Sequence, residues 1–196
     1  MTYVASAMPF DRGVVTNVHQ GDCLVGGDED LTYSTILGSC VSACVRDVEA
    51  KVGGMNHFLL AEPSGASRDR FGVSARYGAF AMEQLINKVL THGTGRKTNL
   101  EIKIFGGGMI NAALTDVGAK NIQFVHQFLD DEGYQVANED VGGMFARRVM
   151  YKPYSGRAMV KRLDAAAANT VAKEELSIVS RRVRPQPAPT DDIELF

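Results

Sequence analysis

The sequence contains no tryptophan, only three cysteines, and a formal net charge of only −2. This charge provides no basic excess to meet phosphates, so the composition gives no support for nucleic-acid binding. No stretch approaches the roughly 18 consecutive apolar residues that a membrane-spanning helix needs. The first residues lack the basic and apolar segments of a secretion signal, so we expect a cytoplasmic protein with reduced cysteines. A disulfide scaffold is therefore disfavoured, which leaves structural, metal-binding or catalytic roles for the cysteines.

The hydrophobic pattern predicts an α/β fold. Helical periodicity predicts helices over residues 76–92 and 117–132, and Gly133 is expected to end the second helix. Residues 1–30 are interpreted as an irregular lead-in, and residues 61–75 as a loop. Strands are predicted over residues 31–37, 40–46, 52–60, 100–105, 134–139, 145–151 and 157–163. This mixed order indicates a layered α/β sandwich with a mixed β-sheet and two main helices, not a doubly wound sheet.

The composition changes near residue 164, where we place the domain boundary. Residues 1–163 are predicted to form the folded domain. Residues 164–196 are predicted to form a tail that begins as an alanine-rich helix and ends in a proline-rich, polar segment. Such a segment buries too little apolar surface to offset its ordering entropy, so we expect it to be flexible.

Cys40 is the first candidate for chemistry. It follows Leu37, Gly38 and Ser39, at a bend from which a thiol could be presented and backbone N–H groups could face a developing oxyanion. A thiol with an ordinary pKa near 8.5 needs a base or a cationic neighbour to become a nucleophile. His57 lies on the strand that returns from the predicted hairpin, so it is the candidate base. The alternative is that both residues are ordinary core side chains.

Three other features of the sequence are candidates for metal binding, phosphate binding or partner docking. If the segment is a strand, Cys40 and Cys44 lie about 13 Å apart, too far to share one tetrahedral zinc ion. The glycine-rich segment at residues 105–109 lacks the lysine of a phosphate-binding loop, so a tight turn or a backbone approaching the active site is the better interpretation. Basic pairs at positions 147–148 and 161–162 form either a solvated face or a docking patch for an acidic partner.

Several motifs, taken in order, resemble the chemoreceptor glutamine deamidase family (CheD). The resemblance covers roughly residues 14–163 and includes no part of the tail. Its motifs are Leu37-Gly38-Ser39-Cys40-Val41, Lys51-Val52-Gly53-Gly54-Met55-Asn56-His57, Arg76-Tyr77-Gly78 with Met82, Lys103-Ile104-Phe105-Gly106-Gly107, Asn121-Ile122 with Phe124-Val125, Glu139-Asp140-Val141-Gly142-Gly143, Arg147-Arg148-Val149 and Gly156-Arg157. The resemblance implies a fold shared with the catalytic domain of cytotoxic necrotizing factor toxins.

The resemblance also implies a Cys-His-Thr triad. Cys40 and His57 match the cysteine and histidine of the family. The threonine position lies six residues before the cysteine, where this chain has Ser34, with Thr35 next to it. Alternate residues of a strand point to opposite faces, so only one of the two can face His57. We expect Ser34 to take the third role, with Thr35 as the alternative.

The implied reaction is hydrolysis of a glutamine side chain through a cysteine thioester, in bacterial chemotaxis adaptation. The expected oxyanion donors lie in one of two loops, at Gly38 and Ser39 or at Gly106 and Gly107. No metal or nucleotide cofactor is expected. The implied substrate is a cytoplasmic helix of a chemoreceptor, and a CheC-type phosphatase is a further possible partner.

Two non-hydrolytic functions remain as alternatives. One is a non-catalytic adaptor that binds receptors or a chemotaxis phosphatase, for which an intact Cys40 and His57 pair has no chemical purpose. The other is a redox-sensing thiol protein, which requires a resolving cysteine close to Cys40.

Overall fold

The computed structural model describes residues 13–60, 70–110, 115–164, 168–173 and 175, which form two β-sheets and two long helices. The strands are β1 (Val14–Asn17), β2 (Cys23–Gly26), β3 (Leu31–Leu37), β4 (Val41–Asp47), β5 (Val52–Asn56), β6 (Leu100–Gly106), β7 (Val136–Val141), β8 (Arg147–Tyr151) and β9 (Ala158–Arg162). The helices are α1 (Arg70–His92) and α2 (Thr115–Asp131). A 3-10 turn at Lys97–Asn99 precedes β6.

The strands form a four-stranded sheet in the order β1-β3-β8-β9 and a five-stranded sheet in the order β2-β5-β4-β6-β7. Each sheet is mixed, because β1 pairs in parallel with β3 and β6 pairs in parallel with β7, while the other pairs are antiparallel. The β4–β5 hairpin has the predicted antiparallel pairing. The layered α/β prediction with a mixed sheet and two main helices is therefore confirmed. The expected relation to the necrotizing factor toxins stays a prediction.

Strand β4 shows how the layers are built. Its side chains alternate between two faces, as the pleat of a strand requires. Val41, Ala43 and Val45 belong to the core between the five-stranded sheet and the helices. Cys44 belongs to a second core, which lies between the two sheets. The five-stranded sheet is thus the middle layer, and its central strand β4 is buried on both faces.

The lead-in is more regular than the sequence indicates. Residues 14–17 and 23–26 are strands, where an irregular segment was predicted, so that prediction is wrong. Both strands have only four residues, and Val14 and Val15 are exposed, so neither shows the alternating apolar pattern on which strand prediction depends. Pairing with β3 and β5 makes them strands, because the neighbouring backbone supplies their hydrogen bonds.

The helix boundaries agree partly with the predictions. Helix α1 begins at Arg70, which is earlier than predicted, and residues 61–69 of the predicted loop lie outside the described part of the chain. Helix α2 ends at Asp131, one residue before the predicted end, and the predicted stop at Gly133 has φ +73°, with the N–H of Tyr134 donating to the carbonyl of Leu129 at 2.8 Å. That geometry satisfies a terminal carbonyl that would otherwise lack a donor.

Part of the predicted tail is ordered against the domain. Residues 168–173 and 175 are helical, and Val171, Ala172 and Glu175 are buried. The proline-rich segment lies outside the described residues. No helix within the described ranges is long and apolar enough to cross a membrane.

Candidate active site

A cleft of about 450 Å³ lies where the two sheets meet the C-terminal helix. Five stretches of chain contribute to its wall: the end of β1 with the turn after it, strand β3, the residues that flank the β4–β5 hairpin, strand β8, and the C-terminal helix. The cleft is lined by polar and reactive side chains, among them Gln20, Thr35, Cys40, His57, Arg148 and Glu175. Cys40 and His57, which are 17 residues apart, thus share one cavity.

Cys40 stands at the end of a short loop, residues 38–40, that leads into β4. All three backbone carbonyls of this loop accept hydrogen bonds from residues outside the loop. The N–H of Gly108 donates to Gly38 at 2.6 Å, the N–H of Gly107 donates to Cys40 at 2.7 Å, and Asn121 Nδ2 donates to Ser39 at 2.8 Å. Because these donors bind its carbonyls, the loop can direct its N–H groups towards the cleft. Cys40 is 1% exposed, and its sulfur contacts Gln20 Oε1 at 4.0 Å.

The glycine-rich segment that begins at the last residue of β6 packs against the 38–40 loop. Gly106 has φ +109°, and a Cβ placed on it would lie 2.2 Å from the carbonyl oxygen of Cys40, so a larger residue cannot take this position. The N–H of Gly107 is already committed to the same carbonyl. The Gly107 N–H is therefore not available as an oxyanion donor, as one of the two predicted loops would require, because it binds the Cys40 carbonyl.

His57 follows β5 and is fixed by its backbone on both sides. Its N–H donates to the carbonyl of Asp22 at 3.1 Å, and its carbonyl accepts the N–H of Gly21 at 2.7 Å. The ring is 8% exposed. Nδ1 lies 2.9 Å from Thr35 Oγ1 and 3.3 Å from the carbonyl oxygen of Val18.

These contacts determine which ring nitrogen of His57 carries the proton. The Thr35 hydroxyl donates its single hydrogen to the Val18 carbonyl at 2.7 Å, so towards Nδ1 it acts as an acceptor. The Val18 carbonyl can only accept, so both neighbours require Nδ1–H. Nε2 then has a free lone pair, and among the described residues this buried atom has no hydrogen-bond partner. A neutral histidine with this tautomer is a base that can receive a proton at Nε2.

The electrostatic surroundings keep His57 neutral. Burial lowers the pKa of the imidazole from its ordinary value of 6.5, and the Val18 carbonyl, Glu175 and Asp22 only partly oppose that effect. His19 lowers the pKa further. At neutral pH the ring is therefore unprotonated and available to accept a proton.

The side chain against His57 is that of Thr35, whereas the sequence favoured Ser34. The correction has a simple physical reason. Position along the chain gives an offset from Cys40, but the pleat and the strand pairing decide which face each side chain takes. In this register the Ser34 carbonyl accepts the N–H of Val18, and the Thr35 hydroxyl reaches both the Val18 carbonyl and the imidazole. Ser34 is also buried and borders the cleft.

The predicted site residues missed Gln20 and Glu175, which line the cleft, and Asn121, which binds the 38–40 loop. Gln20 lies in the segment interpreted as irregular, and Glu175 lies in the predicted tail. Asn121 had a signal that could have revealed it: it stands four residues from both Val117 and Val125, within an otherwise apolar stripe of α2. A polar residue in such a stripe needs buried partners, and Asn121 bridges the Ser39 carbonyl and the N–H of Leu60, each at 2.8 Å.

Cys44 belongs to the core and not to the cleft. It lies on an extended strand, is 1% exposed, and burial raises the pKa of its thiol well above the ordinary value. A helical arrangement of Cys40 and Cys44, which a shared zinc ion would need, is absent because β4 begins at Val41. The described residues contain no group of three or more histidine, cysteine or acidic side chains that could hold a metal ion.

The basic pairs do not form one continuous patch. Arg147 is buried, and its guanidinium donates to the carboxylate and carbonyl of Asp140 and to the carbonyl of Gly142. Arg148 is exposed at the edge of the cleft and faces Lys161 across the β8–β9 pair. A docking surface can therefore use Arg148 and its neighbours but not Arg147.

A layered α/β domain whose cleft joins a cysteine, a neutral histidine and a threonine has the groups that cysteine hydrolases use. The chain belongs to the CheD family. The model for that family, described as CheD chemotactic sensory transduction, matches residues 59–162. Cys40 and His57 precede that stretch, but relatives of full length align across both.

Two such relatives are named as probable chemoreceptor glutamine deamidases. The CheD 1 protein of Ruegeria sp. (strain TM1040) is 44% identical over 190 residues, which is 95% of this chain and 98% of the relative. The CheD protein of Caulobacter vibrioides (strain NA1000 / CB15N) is 43% identical over 189 residues, which is 95% of each chain. Among solved structures, the Neisseria meningitidis protein NMB0706 has a TM-score of 0.38 and 9% identity, over 67% of this chain and 63% of that chain.

Proposed function

We propose that this chain is a protein-glutamine deamidase that converts glutamine side chains of chemoreceptors to glutamate, as part of adaptation in bacterial chemotaxis. The relatives of this chain carry that activity in their names. The observation that carries the mechanism is the shared cleft of Cys40 and a His57 ring whose Nδ1 is held by Thr35. The cleft therefore combines a candidate nucleophile with a base of suitable tautomer.

The first half of the reaction forms a thioester. His57 Nε2 takes the proton of the Cys40 thiol, and the sulfur attacks the carboxamide carbon of a receptor glutamine. A carbon–sulfur bond forms, and the carbonyl oxygen becomes an oxyanion that the N–H groups of Ser39 and Cys40 can bind. The carbon–nitrogen bond then breaks, and the protonated His57 gives its proton to the departing ammonia.

The second half releases the product. A water molecule attacks the thioester while His57 removes its proton, and the same backbone donors bind the second oxyanion. The carbon–sulfur bond breaks, and Cys40 recovers its proton from His57. The product carboxyl group gives its proton to solvent and leaves as glutamate. The proton transfers at the sulfur, the amide nitrogen and the attacking water all use one imidazole, so the mechanism needs no metal or nucleotide.

Thr35 is the positioning residue in this mechanism, in place of Ser34. Its hydroxyl accepts from Nδ1–H and donates to the Val18 carbonyl, which keeps the ring oriented through both halves. When His57 is protonated, Nδ1–H remains a donor and neither bond has to break.

The proposed setting is the cytoplasm, where the helices of the receptor signalling domain are accessible. A CheC-type phosphatase is a proposed further partner. The reaction adds one negative charge to the receptor at each modified site.

The direct test is mass spectrometry of a receptor cytoplasmic fragment before and after incubation with the protein. We expect amide-to-acid mass increases at glutamines, and we expect Cys40→Ala and His57→Ala to abolish them with the fold intact. Cys23→Ala is the matched control, because Cys23 is a half-buried cysteine on β2 and does not line the cleft. Full activity of Cys40→Ala would disprove the mechanism. Receptor binding without any mass change in the wild-type protein would instead indicate an adaptor.

A further inference from the structure

A carboxylate of this chain occupies the donors of the 38–40 loop. Glu175 Oε2 accepts the N–H of Ser39 at 3.1 Å and the Ser39 hydroxyl at 2.6 Å, and Oε1 accepts the N–H of Cys40 at 3.3 Å. Glu175 is 4% exposed. All three of these donors come from the loop that presents the reactive sulfur. They form a binding site for a negatively charged, two-oxygen group directly beside Cys40.

Gly38 lies directly against the Glu175 carboxylate. A Cβ built on it would lie 2.9 Å and 3.1 Å from the two carboxylate oxygens of Glu175 and 2.2 Å from Ile110 Cδ1. Neither distance to the carboxylate leaves room for an ordinary van der Waals contact. The absence of a side chain at position 38 thus allows the carboxylate to approach the loop.

The carboxylate is delivered by a helix. Val171, Ala172 and Glu175 are buried, whereas Asn169 and Lys173 are exposed. Positions one turn apart lie on one face of a helix, so Val171 and Glu175 present the same face to the domain. Both residues line the cleft that contains Cys40 and His57. A helix therefore lies over the cleft and inserts one glutamate side chain into it.

This arrangement has the geometry of an enzyme–product complex, a conclusion that rests on the proposed function. Deamidation converts a glutamine into a glutamate, and the product carboxylate leaves from the donors that held the oxyanion. We propose that the C-terminal helix is an intramolecular product mimic, with Glu175 in the position of the reacting side chain, and that a receptor helix must displace it. The cleft then recognises a glutamine on a helix that carries an apolar residue four positions before it, as Val171 precedes Glu175.

The proposal predicts that this chain can act on itself once the mimic is made a substrate. Glu175→Gln is isosteric and places a carboxamide where the carboxylate lies. The Cys40 sulfur then bonds to the carboxamide carbon at position 175, ammonia leaves, and water hydrolyses the thioester, which regenerates glutamate. We expect the amide-to-acid mass increase at position 175 in the purified full-length variant, and none when Cys40→Ala is added. Gln123 and Gln127, which are exposed on α2, are internal controls that should stay amides.

A second measurement tests whether Glu175 inhibits deamidation of the receptor fragment. In Glu175→Ala we expect KM to fall by about fivefold or more with kcat nearly unchanged. In the wild type only the fraction of molecules with an open cleft can bind substrate, which weakens the apparent affinity, and the substitution removes that effect. Lys173→Ala, on the exposed face of the same helix, should leave both constants unchanged. Melting curves of the variants check that each is folded.

The outcomes separate this proposal from the proposed function. If the wild-type protein deamidates the receptor fragment but the Glu175→Gln variant keeps its amide at position 175, or if Glu175→Ala leaves KM unchanged, the product mimic is disproved and the deamidase stands. If neither the receptor fragment nor the amide of the Glu175→Gln variant is modified, both are disproved. Modification at position 175 that depends on Cys40, together with the lower KM of Glu175→Ala, establishes the mimic.

Discussion

Thr35 Oγ1 lies 2.9 Å from His57 Nδ1 and 2.7 Å from the carbonyl oxygen of Val18. The two contacts form a directed chain, in which the imidazole N–H donates to the hydroxyl and the hydroxyl donates to the carbonyl. Thr35 is well suited to this place because its β-branch restricts its rotamers on a strand. The orientation of the imidazole is therefore set by one side chain of β3 and by the backbone of the turn after β1.

Thr35→Ala should lower kcat while leaving the fold intact. The variant loses the acceptor for Nδ1–H, so the ring can rotate or adopt the other tautomer. We expect kcat to fall roughly 10- to 100-fold. This is only part of the rate increase of about 10²- to 10⁴-fold that a general base contributes. Thr35→Ser keeps the hydroxyl and should retain most activity, and Ser34→Ala is the matched control on the neighbouring position. A larger effect from Ser34→Ala than from Thr35→Ala would return the role to Ser34.

The pH dependence should report the lowered pKa of His57. Only the neutral imidazole can take the thiol proton, so kcat/KM falls on the acid side as the ring becomes protonated. Because burial lowers this pKa, the acid limb should lie below 6.5. Asp22 raises the pKa, so Asp22→Asn should move the limb to still lower pH, whereas the distant Asp130→Asn should not. An acid limb above 6.5 in the wild-type protein would contradict a buried, neutral base.

The helices and the central hairpin were predictable because their information is local. The apolar periodicity of α2 and the glycine after it identify that helix without any tertiary context. β4 alternates small or apolar residues with polar ones, and a short connection joins it to the mostly small and apolar β5, so their pairing was predictable. β1 and β2 were not, because four residues with exposed or half-buried side chains become strands only when β3 and β5 supply hydrogen bonds.

The site was predictable only in part, for a related reason. Cys40 and His57 lie beside a turn and on a hairpin, and the structure brings both to one cleft. The choice between Ser34 and Thr35 depends on the pairing of β3 with its neighbours, which no local pattern reveals. Glu175 is 135 residues from Cys40, and its contact depends on where a helix after the domain packs. Such distant contacts leave no periodic signal in the chain.

Arg147→Met should destabilise the fold by about 3 kcal/mol. The substitution retains the length of the side chain but leaves the Asp140 carboxylate and two carbonyls without their donor, and breaking a buried pair costs about 3–5 kcal/mol. Asp140 is 33% exposed at its side chain, so water recovers part of that cost and the lower end applies. Urea unfolding measures the difference. Arg148→Met, an exposed neighbour, should stay within about 0.5 kcal/mol of the wild type. Equal midpoints for the two variants would show that Arg147 is not a structural cation.

Asn121→Asp should reduce activity although the two side chains have nearly the same size, because it removes the donor of one of two hydrogen bonds. In the wild type, Asn121 accepts from the N–H of Leu60 and donates to the carbonyl of Ser39. Aspartate can still accept from Leu60, but it places an acceptor against the Ser39 carbonyl and pushes the loop that carries Cys40. We expect a loss of about 1–3 kcal/mol in stability from the unpaired buried carbonyl and a fall in kcat.

A structural role alone would lower stability without altering the chemistry of the remaining folded protein. The decisive readout is therefore the alkylation rate of Cys40 at a temperature where all variants are folded. Displacement of the loop changes the position of the thiol relative to His57, so Asn121→Asp should slow alkylation at neutral pH. Gln127→Glu makes the same amide-to-acid change on the exposed face of α2 and should leave the rate unchanged. Equal rates in the two variants would show that Asn121 supports the fold and not the position of Cys40.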